Sequence, residues 1–166
     1  MKSVAIVLCR LALAMWIGGA VLFVVTSIAE QTSPHFDATS RDLLATIRFP
    51  YYYTFGAACL STAAVSGCAV VLSSCGRERR RFRLVFLLTL IAAGVAAADY
   101  QQVYKPLRAE ITPPGLPRSA RFFELHRRST RVNEIHIGLA LLAAIIATVP
   151  CYKPNSDRSI ADACSH

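Results

Sequence analysis

Four apolar stretches in a chain of 166 residues constrain its fold more than any motif does. They cover residues 4–29, 50–72, 84–98 and 132–149, and at about 1.5 Å per residue they reach roughly 39, 34, 22 and 27 Å against a hydrocarbon layer of about 30 Å. The third is short unless its helix runs on through Asp99 toward Tyr104, and the fourth fits better if it begins before Val132. Both extensions carry polar groups into the membrane. With 54% hydrophobic residues, and with second and third stretches apolar or small all the way round, the chain lacks the amphipathic period of a soluble bundle. The expected fold is all-α, an integral membrane bundle of four transmembrane helices. The spans are drawn at about 4–29, 50–72, 84–104 and 121–149 within a domain of residues 1–150, followed by a disordered tail over 151–166.

The first stretch has a rival reading as a secretory signal, since Lys2 precedes it and Ser27-Ile28-Ala29 resembles a cleavage site. Arg10 interrupts that core, and the run from Leu11 to Ala29 is longer than signals use, so a retained helix is expected.

Basic residues set the orientation. Arg77, Arg79, Arg80, Arg81 and Arg83 crowd the connection between spans two and three, whereas the first connection carries only Arg41 and Arg48. Positive charge favours the cytoplasmic side, which places that loop and both termini inside. Lys105, Arg108, Arg118, Arg121, Arg127, Arg128 and Arg131 oppose this, because they fall on the outer side. The net charge of +8 is accounted for by these flanks facing lipid headgroups, so no nucleic-acid partner is expected. The lipid bilayer is the first partner, with a small-molecule or ion ligand and a second copy of the chain as further ones.

Cys9, Cys59, Cys68, Cys75, Cys151 and Cys164 form no Cys-x-x-Cys pair, and neither a metal site nor a bound cofactor is expected from them. Small residues four apart (Gly94 and Ala98, Ala93 and Ala97, Ala57 and Ser61, Ala63 and Gly67) are expected to let helix backbones approach closely. Trp16-Ile17-Gly18-Gly19 reads as a helix-packing motif in which the paired glycines mark a close crossing.

The candidate site lies where polar groups enter the last span. At 100° per residue, Phe122, His126, Ser129, Asn133 and His136 share a sector of about 80°, while Arg121, Glu124, Arg128 and Arg131 gather on another face. Such a stripe should face the bundle interior or a watery cavity, as interhelical glue or as a binding or proton-handling site. Asp99 ends the third apolar stretch and needs donors, for which Arg48 or His126 is placed on the same membrane side. The candidate binding cluster is therefore Asp99, His126, Ser129, Asn133, His136 and Arg48. Tyr51, Tyr52 and Tyr53 read as an interfacial belt, and Arg10 as a side chain snorkelling to the headgroups of the opposite face.

Several of these residues also stand in ordered motifs. Arg10 with Trp16-Ile17-Gly18-Gly19, Phe49-Pro50-Tyr51-Tyr52, Tyr104-Lys105-Pro106-Leu107-Arg108, and Phe122 through Leu125-His126 with Ser129 and Asn133 together resemble the transmembrane protein 205-like family. The resemblance covers about residues 4–150 and implies a small, four-helix, largely bacterial integral membrane protein of unestablished activity, hence a bacterial plasma membrane location. Arg127 stands where that family tends to have Gly after the motif His. More distant haem- or copper-handling membrane families carry a His where this chain has Arg10, and arginine is a poor ligand for either group.

Function is read as non-enzymatic: binding or passage of a small molecule, lipid or ion, or scaffolding in the membrane. The alternative is a haem-, copper- or quinone-linked redox protein, because His126 and His136 share a sector. No catalytic residue is assigned. Ser129 and His126 lie three apart on one helix with no acid to orient the histidine, and no phosphate loop or zinc-helix motif occurs.

Overall fold

The computed structural model describes residues 2–149; the tail expected to be disordered, with Cys151 and Cys164, lies outside them. The chain is all-α. Helices α1 (Lys2–Thr32), α2 (Ala38–Ser73), α3 (Gly76–Asp99), α4 (Lys105–Glu110) and α5 (Ala120–Thr148) follow one another, with a single π-helical turn over Tyr100–Tyr104 joining α3 to α4. That turn makes one rod of Gly76–Glu110, so the described residues hold four helical rods long and apolar enough to cross a membrane. They pack antiparallel in chain order, with α1 against α2, α2 against α3, α3 against α5 and α5 back against α1.

Each boundary has a local cause. Asp37 caps α2 by accepting the Ser40 backbone N–H at 2.7 Å, and Ser119 caps α5 by accepting that of Phe122 at 3.0 Å. Gly76, at φ +58°, makes the reversal between α2 and α3 in a conformation that disfavours other residues. Two prolines sit inside helices. Pro50 lies in the middle of α2, where it offers no N–H to the carbonyl of Thr46. Pro106 would likewise crowd and strand the carbonyl of Gln102. The chain takes the wider turn just before it, and the Lys105 N–H bonds back to Tyr100 O.

The core is a column of small and aromatic side chains. Cys9, Leu13, Trp16 and Ala20 of α1 meet Leu60, Ala63 and Val70 of α2, Phe82, Val85 and Ala92 of α3, and Ala140, Ala143 and Ala147 of α5. The outward faces, such as Val21, Leu22, Val65, Leu72 and Ile145, stay apolar and exposed. That inversion suits lipid as solvent.

Three expectations about packing change. Gly18 is exposed, with nothing within 4 Å of where a Cβ would stand, whereas a Cβ on Gly19 would come within 2.5 Å of the Phe55 ring. The crossing therefore uses only the second glycine. Gly56 of α2 is tighter still, since its Cβ would meet the Trp16 ring at 2.6 Å. Among the small pairs, Ala63 is buried and a Cβ on Gly67 would come into ordinary contact with Phe86 and Cys9, but Gly94 faces open space. Ala57, Ser61, Ala93 and Ala97 border a cavity instead of a contact. Finally, Arg10 does not snorkel freely. Its Nε donates to Ala147 O at 2.8 Å, and Arg81 donates to Val149 O, so two cations satisfy the open carbonyls at the end of α5.

Candidate functional site

A cavity of about 520 Å³ lies between α2, α3 and the α1–α5 wall. Its floor is aromatic, made by Trp16, Tyr52, Tyr53, Tyr100 and His136, and its rim is small, made by Ala57, Ser61, Ala93, Ala96 and Ala97. Ala57, Ser61 and Ala97 are exposed. The space therefore opens sideways between α2 and α3, toward where lipid tails stand. Its size falls within the roughly 300–1,000 Å³ usual for small-molecule sites.

Polar groups ring the floor. Tyr52 Oη donates to Asn133 Oδ1 at 3.2 Å, and His136 Nε2 lies 2.8 Å from the same oxygen. With Asn133 Oδ1 as acceptor, Nε2 carries the proton and Nδ1 offers a lone pair. His136 is fully buried and stacks on Trp16 with ring centroids 5.7 Å apart. Tyr53 Oη donates to Asp99 Oδ2 at 2.5 Å, and Asp99 is buried. Trp16 Nε1, His136 Nδ1, Asp99 Oδ1 and Tyr104 Oη are buried without a partner among the described residues. Unsatisfied groups in such number are uncommon in a closed core, where each costs roughly 1–3 kcal/mol.

The sequence-derived cluster divides in two. Asn133 bonds His136 and Tyr52, which line the cavity floor, Ser129 is buried on the same α5 face, and Asp99 joins them through Tyr53. Arg48 and His126 are elsewhere. Arg48 donates to Glu30 and to Thr26 Oγ1, with its guanidinium 5.0 Å over the Phe23 ring, so it does not hold Asp99. His126 is exposed and stacks on Phe122 at 5.8 Å, and it does not reach Asp99 either. The reason is axial rise. His126 and His136 share a sector, but ten residues separate them by about 15 Å along α5. Tyr52 and Tyr53 likewise leave the interfacial belt for the interior, while Tyr51 is exposed as expected.

Sequence reasoning missed the floor tyrosines, Gly56 and the π-helical turn. The last places Tyr100 and Tyr104 in a 5.5 Å stack, each about 5.1 Å from Tyr53. Pro106, seven residues past Asp99 in an apolar helix, was the signal for it.

A second cavity, of about 400 Å³, lies at the end of the bundle where α1 gives way to α2 and the 111–119 connection enters α5. Phe23, Phe49, Leu107, Ile111, Phe122 and Phe123 form its apolar wall; Glu30, Asp42, Arg48, Arg118 and His126 supply polar groups. Asp42 is buried, paired with Arg118 and accepting the Gly115 N–H at 2.9 Å. Phe23 stacks on Tyr52 at 4.4 Å, so one layer of rings parts this cavity from the first. Among the described residues no three His, Cys, Asp or Glu side chains are grouped to hold a metal ion.

The described residues define an integral membrane protein of four membrane-length helical rods with an interior chamber open between α2 and α3. Residues 11–111 match the family described as "Domain of unknown function (DUF4149)", and the chain belongs to that family. No curated protein and no solved structure matches it.

Proposed function

We propose that the protein is a membrane-embedded binding protein that admits a small apolar or amphipathic molecule from the bilayer into the chamber between α2 and α3. The observation that carries this reading is the aromatic cavity of about 520 Å³, opening past exposed Ala57, Ser61 and Ala97 and floored by Trp16 and His136. Apolar walls supply affinity through burial, while a few fixed polar groups select orientation. Here the selecting groups are His136, Tyr52 and Tyr53, with Asn133 fixing Tyr52 and His136 from behind and Asp99 fixing Tyr53. Ser129 stands behind them. Arg48 and His126 belong to the end cavity.

We assign this function to the domain of residues 1–150, within the transmembrane protein 205-like group that the ordered motifs resemble. Its setting is the bacterial plasma membrane with both termini cytoplasmic. No enzymatic step is assigned, and the haem or copper reading loses its paired ligands, since His126 and His136 stand about 15 Å apart along α5.

The reading is tested by extracting the purified protein with solvent and identifying co-purifying small molecules by mass spectrometry, beside Ala97→Phe and Ala57→Phe, which fill the opening. A compound retained by the native chain and lost from both well-folded variants is the expected result. Identical extracts from all three would overturn it.

A further inference from the structure

The end cavity has its own chemistry and does not depend on the chamber's reading. Its four fully charged side chains, Glu30, Asp42, Arg48 and Arg118, cancel. A ligand of net charge would enter without a net countercharge, and the desolvation cost of bringing it in would go uncompensated. A ligand carrying both signs meets a partner for each. Arg118 adds a directional cue: its Nη2 serves Asp42, while its Nη1 is buried with no acceptor among the described residues. A guanidinium edge with one nitrogen to spare suits a phosphate oxygen. The apolar side of the cavity is the aromatic wall of Phe23, Phe49 and Phe122, and exposed Phe123 at the rim leads from it toward the lipid. Arg118 itself lies 4.4 Å over the Phe122 ring, which holds the cation at the boundary between apolar wall and polar mouth.

We propose that this cavity is a headgroup site for a zwitterionic phospholipid of the phosphoethanolamine type, its phosphate on Arg118 Nη1 and its ammonium toward Glu30, with the acyl chains leaving past Phe123. Depth supports the assignment. Arg48 and Glu30 stand where α1 and α2 emerge from their apolar stretches, at the level of headgroups. The aromatic wall continues into the tail region below, so one molecule can satisfy both halves of the cavity.

The test is native mass spectrometry of the full chain released from detergent containing equal phosphatidylethanolamine and phosphatidylglycerol. One phosphatidylethanolamine should be retained over phosphatidylglycerol by roughly tenfold, the scale of a charge-assisted hydrogen bond lost or kept. Arg118→Lys keeps the charge opposite Asp42 but removes the spare nitrogen; because both lipids carry the phosphate, it should lower the retention of both several-fold and leave their ratio near the native one. Glu30→Gln removes the partner of the ammonium and should erase most of the preference, whereas Ala97→Phe, which fills the other cavity, should leave both retention and preference intact. Soluble glycerophosphoethanolamine should fail to displace the lipid, because the aromatic wall supplies much of the affinity. Equal retention of both lipids by the native chain, retention untouched by Arg118→Lys, a preference untouched by Glu30→Gln, or ready displacement by the soluble headgroup would each overturn the proposal.

Discussion

The hydroxyl of Tyr53 and the carboxylate of Asp99, 46 residues apart in sequence, meet at 2.5 Å inside the bundle, and no arginine or lysine shares that carboxylate by hydrogen bond or ion pair among the described residues. An acid on an Ala-rich membrane helix is thus held by a phenol. Removing the phenol leaves the acid with no donor, so Tyr53→Phe should destabilise the protein in detergent by about 1–3 kcal/mol. In an Asp99→Leu background the same change should cost little. Denaturation midpoints for the four proteins of this double-mutant cycle check the coupling; equal costs in both backgrounds would mean that the contact contributes nothing.

Two glycines should respond oppositely to a single methyl group. At Gly18 the added Cβ meets nothing, and Gly18→Ala should be neutral or stabilising by about 0.5–1 kcal/mol through helix propensity. At Gly56 it would stand 2.6 Å from the ring of buried Trp16, which would have to shift within its packing against Tyr52 and His136, and Gly56→Ala should cost about 1–3 kcal/mol. Thermal melting of both variants in one detergent decides the matter.

The sequence made the bundle legible because apolar length is a direct physical requirement of a bilayer. It also put Ser129, Asn133 and His136 on one helix face, since that follows from the 100° step alone. What it left hidden depends on three-dimensional pairing. Arg48 was free in sequence to reach Asp99, yet Glu30 lies closer across the α1–α2 hairpin. Tyr53 resembled an interfacial belt residue until the helix was seen to start at Ala38 and carry it inward. The small residues of α2 and α3 could have meant contact or space; only their facing register shows that they leave space.

The first turn of α2 should be pH-sensitive. The Ser40 N–H bond to Asp37 holds that carboxyl below its usual value, so the cap is fully present above the ordinary carboxylate range and is lost as pH falls through the lowered value. The protection factor of the Ser40 amide, its exchange rate corrected for the intrinsic rate at each pH, should therefore fall in acid. Asp37→Asn keeps the cap acceptor and should abolish the pH dependence; an unchanged pH profile in that variant would assign the effect to another group.

Orientation follows from the Arg77–Arg83 segment. Cys75 is an exposed free thiol beside it, and Leu116→Cys would mark the opposite end. An impermeant maleimide applied to intact cells should label Leu116→Cys and spare Cys75. Labelling of Cys75 from outside would invert the topology.

Trp16 is the chain's single tryptophan and lies in the floor of the chamber, so its fluorescence reports directly on occupancy. Titrating the purified protein with a brominated fatty alcohol, a heavy-atom quencher of the proposed ligand class, should quench Trp16 saturably in the native chain and only weakly and linearly in Ala97→Phe. Linear quenching of equal slope in both proteins would show the bromine reaching Trp16 by general partition into detergent, and would contradict a bilayer-side binding chamber.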